Sequence, residues 1–127
     1  MSTRKIVTTD KVTPPRVPLS HAVTVGNLVY VSGTTPFKPG TTEMATDFEG
    51  QMHQVMANIG AILEAAGSSF DHVVKVNVIL VDIGNFKKMN AIYRTYFTEG
   101  NYPARTTIEA KLATPGMMLE IECVAEA

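Results

Sequence analysis

The sequence predicts an α+β fold, a mixed sheet in the order ββαβαββ with two helices packed on one face. Three observations carry this. Two β-prone apolar runs flank Gly26-Asn27, a two-residue hairpin signal. Two later segments place apolar residues at helical spacing, with a Val/Ile-rich strand between them. The chain then closes on two more strand-like runs around Thr114-Pro115-Gly116. At 127 residues the chain makes one domain, 1–127, of which residues 1–17 form an irregular lead rich in Thr and Pro.

The elements follow in order. Strands are expected over His21–Val25 and Leu28–Ser32. Pro36, Pro39 and Gly40 then break the chain into a loop. Thr46 or Asp47 caps a helix running to about Ala66, with Phe48, Met52, Val55, Ile59, Ile62 and Leu63 on one stripe and Gly67 past its end. Gly50 and Gly60 inside it each cost about 1 kcal/mol relative to Ala, so close packing against them is expected. His72–Asp82 is a strand of nearly continuous Val, Ile and Leu, suited to a sheet covered on both faces. Asn85 caps a second helix, with Phe86, Met89, Ile92, Tyr93 and Phe97 on one side and Gly100 closing it. Ala104–Leu112 and Met117–Ala127 are the last strands.

Composition narrows the chemistry. The net charge is −1 and no Lys/Arg cluster occurs, which argues against nucleic acid as a partner. No window reaches the roughly 18 apolar residues of a membrane span. No apolar stretch follows the first residues, so no signal peptide and a cytoplasmic location are expected. The single Cys123 excludes an internal disulfide and reads as a small buried hydrophobe. His21, His53 and His72 stand far apart, without ligand spacing, so no metal is expected. The glycines of "GNLVYVSG" lack phosphate-binding spacing, and no nucleotide cofactor is expected.

Alternation along the strands sets Leu119, Ile121 and Cys123 against Glu120, Glu122 and Val124. It sets Thr106 and Ile108 against Arg105 and Thr107, and Val74, Val76, Val78 and Leu80 against Lys75, Asn77 and Ile79. The second face is neither apolar enough for a core nor fully polar. It suits either a subunit interface or a solvated surface. Arg105, at the mouth of its strand, and Glu120 are expected on adjacent strands and the same face. There they either pair with each other or act on a ligand, the guanidinium gripping a carboxylate and the glutamate polarising a water.

The stretches "GNLVYVSGTTP", "AAGSSFDHVVKVNVILVD", "MNAIYRTYF", "YPARTTIEA" and "LEIECVA" together resemble the reactive-intermediate deaminase family (Rid, formerly YjgF), from about Pro18 to Ala125. The resemblance implies a chorismate-mutase-like fold and a homotrimer with clefts between subunits. It also implies cofactor-free hydrolysis of reactive enamines and imines, such as 2-aminoacrylate or 2-iminopropionate, to 2-keto acid and ammonia. The arginine matching Arg105 would bind the substrate carboxylate and the glutamate matching Glu120 would place the water. Gly33 and Thr107 would line the cleft, with Ser32, Leu19 and Asn90 close by. Leu19 stands where many members carry Tyr, Thr34 where Gln is frequent, and Thr107 where Cys is frequent. The alternatives are a non-catalytic trimer that binds a small carboxylate such as a 2-keto acid, and an endoribonuclease that inhibits translation.

Overall fold

The structure, a computed structural model, describes residues 1–127. Its first element corrects the irregular lead: β1 (Lys5–Val7) pairs antiparallel with β2 (Ala22–Val25), Ile6 opposite Val23. Lys-Ile-Val is too short to show a period, and only its pairing defines it. The hairpin forms as expected. β2 returns as β3 (Leu28–Thr34) with Val25 opposite Leu28 and Ala22 opposite Val31, Gly26 holding the turn at φ 57°.

Helix α1 (Phe48–Ala65) buries the whole expected stripe, and also Gln51, Met56 and Asn58. Gly60 is there for space: a Cβ on it would lie 3.1 Å from Phe70 Cε2. Beyond the cap Gly67 turns at φ 78°. β4 (Val73–Leu80) follows, with a bulge between Val73 and Lys75. The bulge corrects the alternation, because Val73 takes the inward place and Val74 is exposed.

Asn85 lies in a short 3-10 turn, Ile83–Asn85, and makes no side-chain cap; Asp82 instead accepts from the Gly84 N–H. Helix α2 is Phe86–Tyr93, tightening into a further 3-10 turn over Arg94–Tyr96. β5 (Ala104–Glu109) and β6 (Leu119–Glu126) complete the chain.

The sheet order is β1-β2-β3-β6-β4-β5, with β4 and β5 parallel and every other pair antiparallel. Parallel neighbours need a crossover, and α2 supplies it between β4 and β5. β6 then passes back over β4 into the slot between β3 and β4. Its inward residues Leu119, Ile121, Cys123 and Ala125 are all buried, as suits a central strand. β5, with no residue fully buried, is one edge and β1 the other. A core of 22 buried residues fills the space between this face and the helices. No helix is long and apolar enough to cross a membrane.

Candidate active site

Where β3 ends and β6 begins, the strands slip register between Val31 and Thr34. Glu120, at the start of β6, lays its carboxyl over the backbone of Gly33 in that slip. A Cβ at position 33 would collide with Glu120 Oε1 and lie 2.8 Å from its Cδ. Gly33 does not have a positive φ, so what requires glycine here is room for the carboxylate and not backbone strain. Ser32 beside it donates to the Ser20 carbonyl at 2.5 Å, tying the strand to the lead. Glu120, Gly33, Ser32 and Leu19 line one cleft of about 330 Å³, roofed by the lead and floored by α1. Burial, and secondarily Glu122, pushes the Glu120 carboxyl above its usual range. It therefore holds a proton more readily than a free glutamate.

Arg105 stands elsewhere. In register it opposes Val76, which in turn opposes Cys123, so its side chain shares the helix-covered face. The guanidinium lies over two rings of α2, with Cζ 4.8 Å from the Tyr93 centroid and 5.7 Å from that of Phe86. Nη1 also approaches Met89 Sδ at 3.7 Å. A cation–π contact of this kind is worth about 0.5–2 kcal/mol and holds the guanidinium against α2. No carboxylate answers it: the two ion pairs, Lys11–Glu64 and Lys88–Glu49, lie on the exposed surface. Thr107, on the same strand face, is half-buried, as is Asn90 on α2. Thr107 Oγ1 and the Tyr93 hydroxyl are buried without partners. Such orphaned groups are rare, each costing about 1–3 kcal/mol unless something outside the chain completes it. The Tyr93 hydroxyl is pushed up to about 12 by burial, against the opposing pull of Arg105, and so stays protonated.

Two expectations are corrected. Arg105 and Glu120 are not on adjacent strands, because β4 lies between β5 and β6. Nor do they share a face: Arg105 aligns with Val76, whereas Glu120 aligns with Ile79 on the bare side. The internal ion pair between them is accordingly absent. Ile108 misled the face assignment, since this one large apolar residue of β5 is on the bare face and 50 % exposed. Within one chain the expected site is thus split into two would-be half-sites, Glu120, Gly33, Ser32 and Leu19 in one cleft and Arg105 with Thr107 on the other face, while Asn90 is tied to the second only by its place on α2.

The cleft contains residues the sequence analysis did not single out: His21, Phe37, Asn58 and Arg16 among them. His21 was recoverable. Continuing the hairpin register one step beyond Ala22–Val31 sets it opposite Ser32, and the Ser32 N–H donates to its carbonyl at 3.0 Å. Partial burial lowers its pKa, leaving the ring neutral. Cys123 is buried and its thiol pushed up to about 12, chiefly by that burial, so it is no nucleophile.

Comparison with known proteins agrees with this frame. The profile of the family described as Endoribonuclease L-PSP matches residues 10–127. A 2-iminobutanoate/2-iminopropanoate deaminase of Rattus norvegicus is 37% identical over 123 residues, covering 96% of this chain and 89% of the relative. RidA from an Antarctic Psychrobacter superposes with a TM-score of 0.92 at 39% identity, over 97% of this chain and 99% of that one. Escherichia coli TdcF, solved with bound serine, superposes with a TM-score of 0.89 at 28% identity, over 97% and 98% of the two chains. With its sheet order, two-helix layer and Pro-Ala-Arg-Thr strand, the chain belongs to the reactive-intermediate deaminase (Rid/YjgF) family.

Proposed function

We propose that the protein is a cytoplasmic, cofactor-free hydrolytic deaminase of carboxylate-bearing imines and enamines, acting in clefts between the copies of a homotrimer. The observation that carries this is Arg105: a guanidinium half withdrawn from water, held over two aromatic rings, with no counterion in its own chain. A desolvated cation of fixed orientation favours a planar anion, and the carboxylate of a 2-imino acid matches its fork bidentately. That TdcF binds serine, itself a small carboxylate, supports the same reading.

The half-sites explain the assembly. The bare face of the sheet carries Ile6, Tyr30 and Ile108, each largely exposed, beside half-buried Lys75, Asn77 and Ile79. Such a mixed face is the kind that a polar-centred interface covers. Ring closure around it brings the Arg105 half-site of one copy to the Glu120 cleft of the next.

The chemistry then needs only water and a proton carrier. An enamine such as 2-aminoacrylate first gains a proton at its terminal carbon and becomes the iminium. Ionised Glu120 takes a proton from water as the water oxygen bonds to the C=N carbon, giving a carbinolamine. Glu120 returns that proton to nitrogen, the C–N bond breaks to release ammonia, and Glu120 takes the hydroxyl's remaining proton as C=O forms and passes it to the departing ammonia. The products are the 2-keto acid and ammonium. Holding carboxylate and water in register makes the addition effectively intramolecular. Because imines already react with water, a few kcal/mol of barrier lowering suffices.

The test is Arg105→Ala against wild type, with 2-iminopropanoate generated in place and keto-acid release followed. The variant should lose acceleration by a factor of at least ~100 while remaining folded and oligomeric. Unchanged turnover would remove the anchor role. Saturable binding of 2-keto acids by wild type without turnover of any imine would convert the reading into a metabolite-binding protein.

A further inference from the structure

Arg105 stands in a strand that gives its side chain little support. β5 is an edge with no residue fully buried, and a long cationic side chain there has many rotamers open to it. A ligand that needs one of those rotamers loses affinity to the ordering. Here the ordering is already done, and the residues that do it lie on α2.

Phe86, Met89 and Tyr93 fall at i, i+3 and i+7, one stripe of that helix. All three meet the guanidinium, the rings at 5.7 Å and 4.8 Å from Cζ and the Met89 thioether at 3.7 Å from Nη1. They are unequal supports. Phe86 is 39 % exposed and a thioether is a weak acceptor, whereas Tyr93 is 4 % exposed and has the closer ring. Tyr93 is itself backed. Its ring packs on Phe97 at 4.6 Å, Phe97 meets Phe70 edge-on at 5.5 Å, and Phe70 fills the space left by Gly60 of α1. Through these rings the support under the cation is tied to the long helix, and it cannot shift unless that packing shifts.

The Tyr93 hydroxyl has no packing purpose. It is buried without a partner, and Phe would fill the same core position without an unanswered polar group. Burial pushes its pKa up to about 12 while Arg105 pulls the other way, so the oxygen lies within the field of the cation. A neutral phenol in that field turns its lone pairs toward the guanidinium, which adds an ion–dipole attraction to that of the ring face.

We propose that Tyr93 is a positioning residue for carboxylate binding, its ring and hydroxyl holding the Arg105 fork in place before the ligand arrives. The proposal rests on Arg105 as the carboxylate anchor and states what makes that anchor competent. Tyr93 is closed to solvent and acts through Arg105 alone. Without it the ordering of the guanidinium falls on the binding step, so the loss appears in KM and not in kcat. A change that merely loosens the fold does the reverse, lowering the active fraction, and so kcat, at constant KM.

The experiment uses the intact oligomer with 2-iminopropanoate generated in place, and reads KM and kcat from keto-acid release beside thermal melts. Tyr93→Leu should raise KM about tenfold with kcat within about twofold of wild type. Tyr93→Phe, which keeps the ring, should raise KM only about threefold yet melt no lower than wild type, so that binding and stability change in opposite senses. Wild-type KM in Tyr93→Phe overturns the share given to the hydroxyl. Wild-type KM in Tyr93→Leu, or a loss confined to kcat, overturns the positioning role. Arg105→Ala run in parallel separates the two readings: full activity in that variant removes the anchor itself, whereas its failure beside an unaffected Tyr93→Leu removes only the role of Tyr93.

Discussion

Replacing Gly33 by Ala tests the placement of Glu120 more sharply than replacing Glu120 does. The new methyl would occupy the position of Oε1 and stand 2.8 Å from Cδ and 3.2 Å from Cγ. The carboxyl must swing away, but it ends a flexible side chain, so a rotamer change costing about 0.5–1.5 kcal/mol relieves the clash. Against that, Ala in place of Gly in a strand gains about 0.5–1 kcal/mol from the unfolded chain. The two nearly cancel, and the melting temperature should move by only a few degrees. Activity should not be spared. Displacing a proton-transfer group from its partner atoms forfeits about 10²–10⁴ in rate. The assay is keto-acid release from an in-place imine, run on Gly33→Ala, Glu120→Ala and the double variant. If glycine serves to admit the carboxylate, the double variant is no slower than Glu120→Ala. Wild-type kcat/KM in Gly33→Ala, or a double variant slower by the product of both factors, would refute the argument.

Three further outcomes follow from the geometry. Because burial raises the Glu120 pKa above its ordinary 4.5, the folded protein binds more protons than the unfolded chain across the window between the two values. Stability is therefore greatest below that window and falls as pH rises through the raised pKa, and Glu120→Gln should flatten this dependence in thermal melts while removing turnover. Ile108→Asp, on the bare face of β5, should leave a folded chain within about 0.5 kcal/mol of wild type yet separate the oligomer in sedimentation and abolish activity. Cys123→Ala should cost about 1 kcal/mol by denaturant titration and leave kcat intact, since a buried thiol pushed up to about 12 carries no thiolate.

The element order was legible because each helix announces itself by one stripe, and each strand but one is either alternating or uniformly apolar. β1 was not: three residues behind a Thr- and Pro-containing lead have no period to read. The strand order was not legible either. Local pattern says that β5 and β6 are strands; it does not say that β6 passes over β4, which depends on where unpaired edges remain once the crossovers are made. That one topological step accounts for the mistaken adjacency of Arg105 and Glu120, and the apolar Ile108 for the misassigned face. The Glu120 half of the site was named through the family resemblance alone: the hairpin register from Gly26-Asn27 sets Ser32 beside His21, but Glu120 reaches Gly33 only through the β3–β6 pairing. The pairing of Arg105 with Tyr93 and Phe86 needed the angle at which α2 crosses β5, which no spacing encodes.

That the Arg105 guanidinium and the Glu120 carboxylate occupy opposite sides of a single sheet has a genetic consequence under the proposed assembly. Defects in the two become complementary and not cumulative. Mixed rings of Arg105→Ala and Glu120→Ala chains, each lifeless alone, would rebuild intact crevices wherever a chain lending its acid meets one lending its base. In an even random mixture that is roughly one junction in four, whatever the ring size.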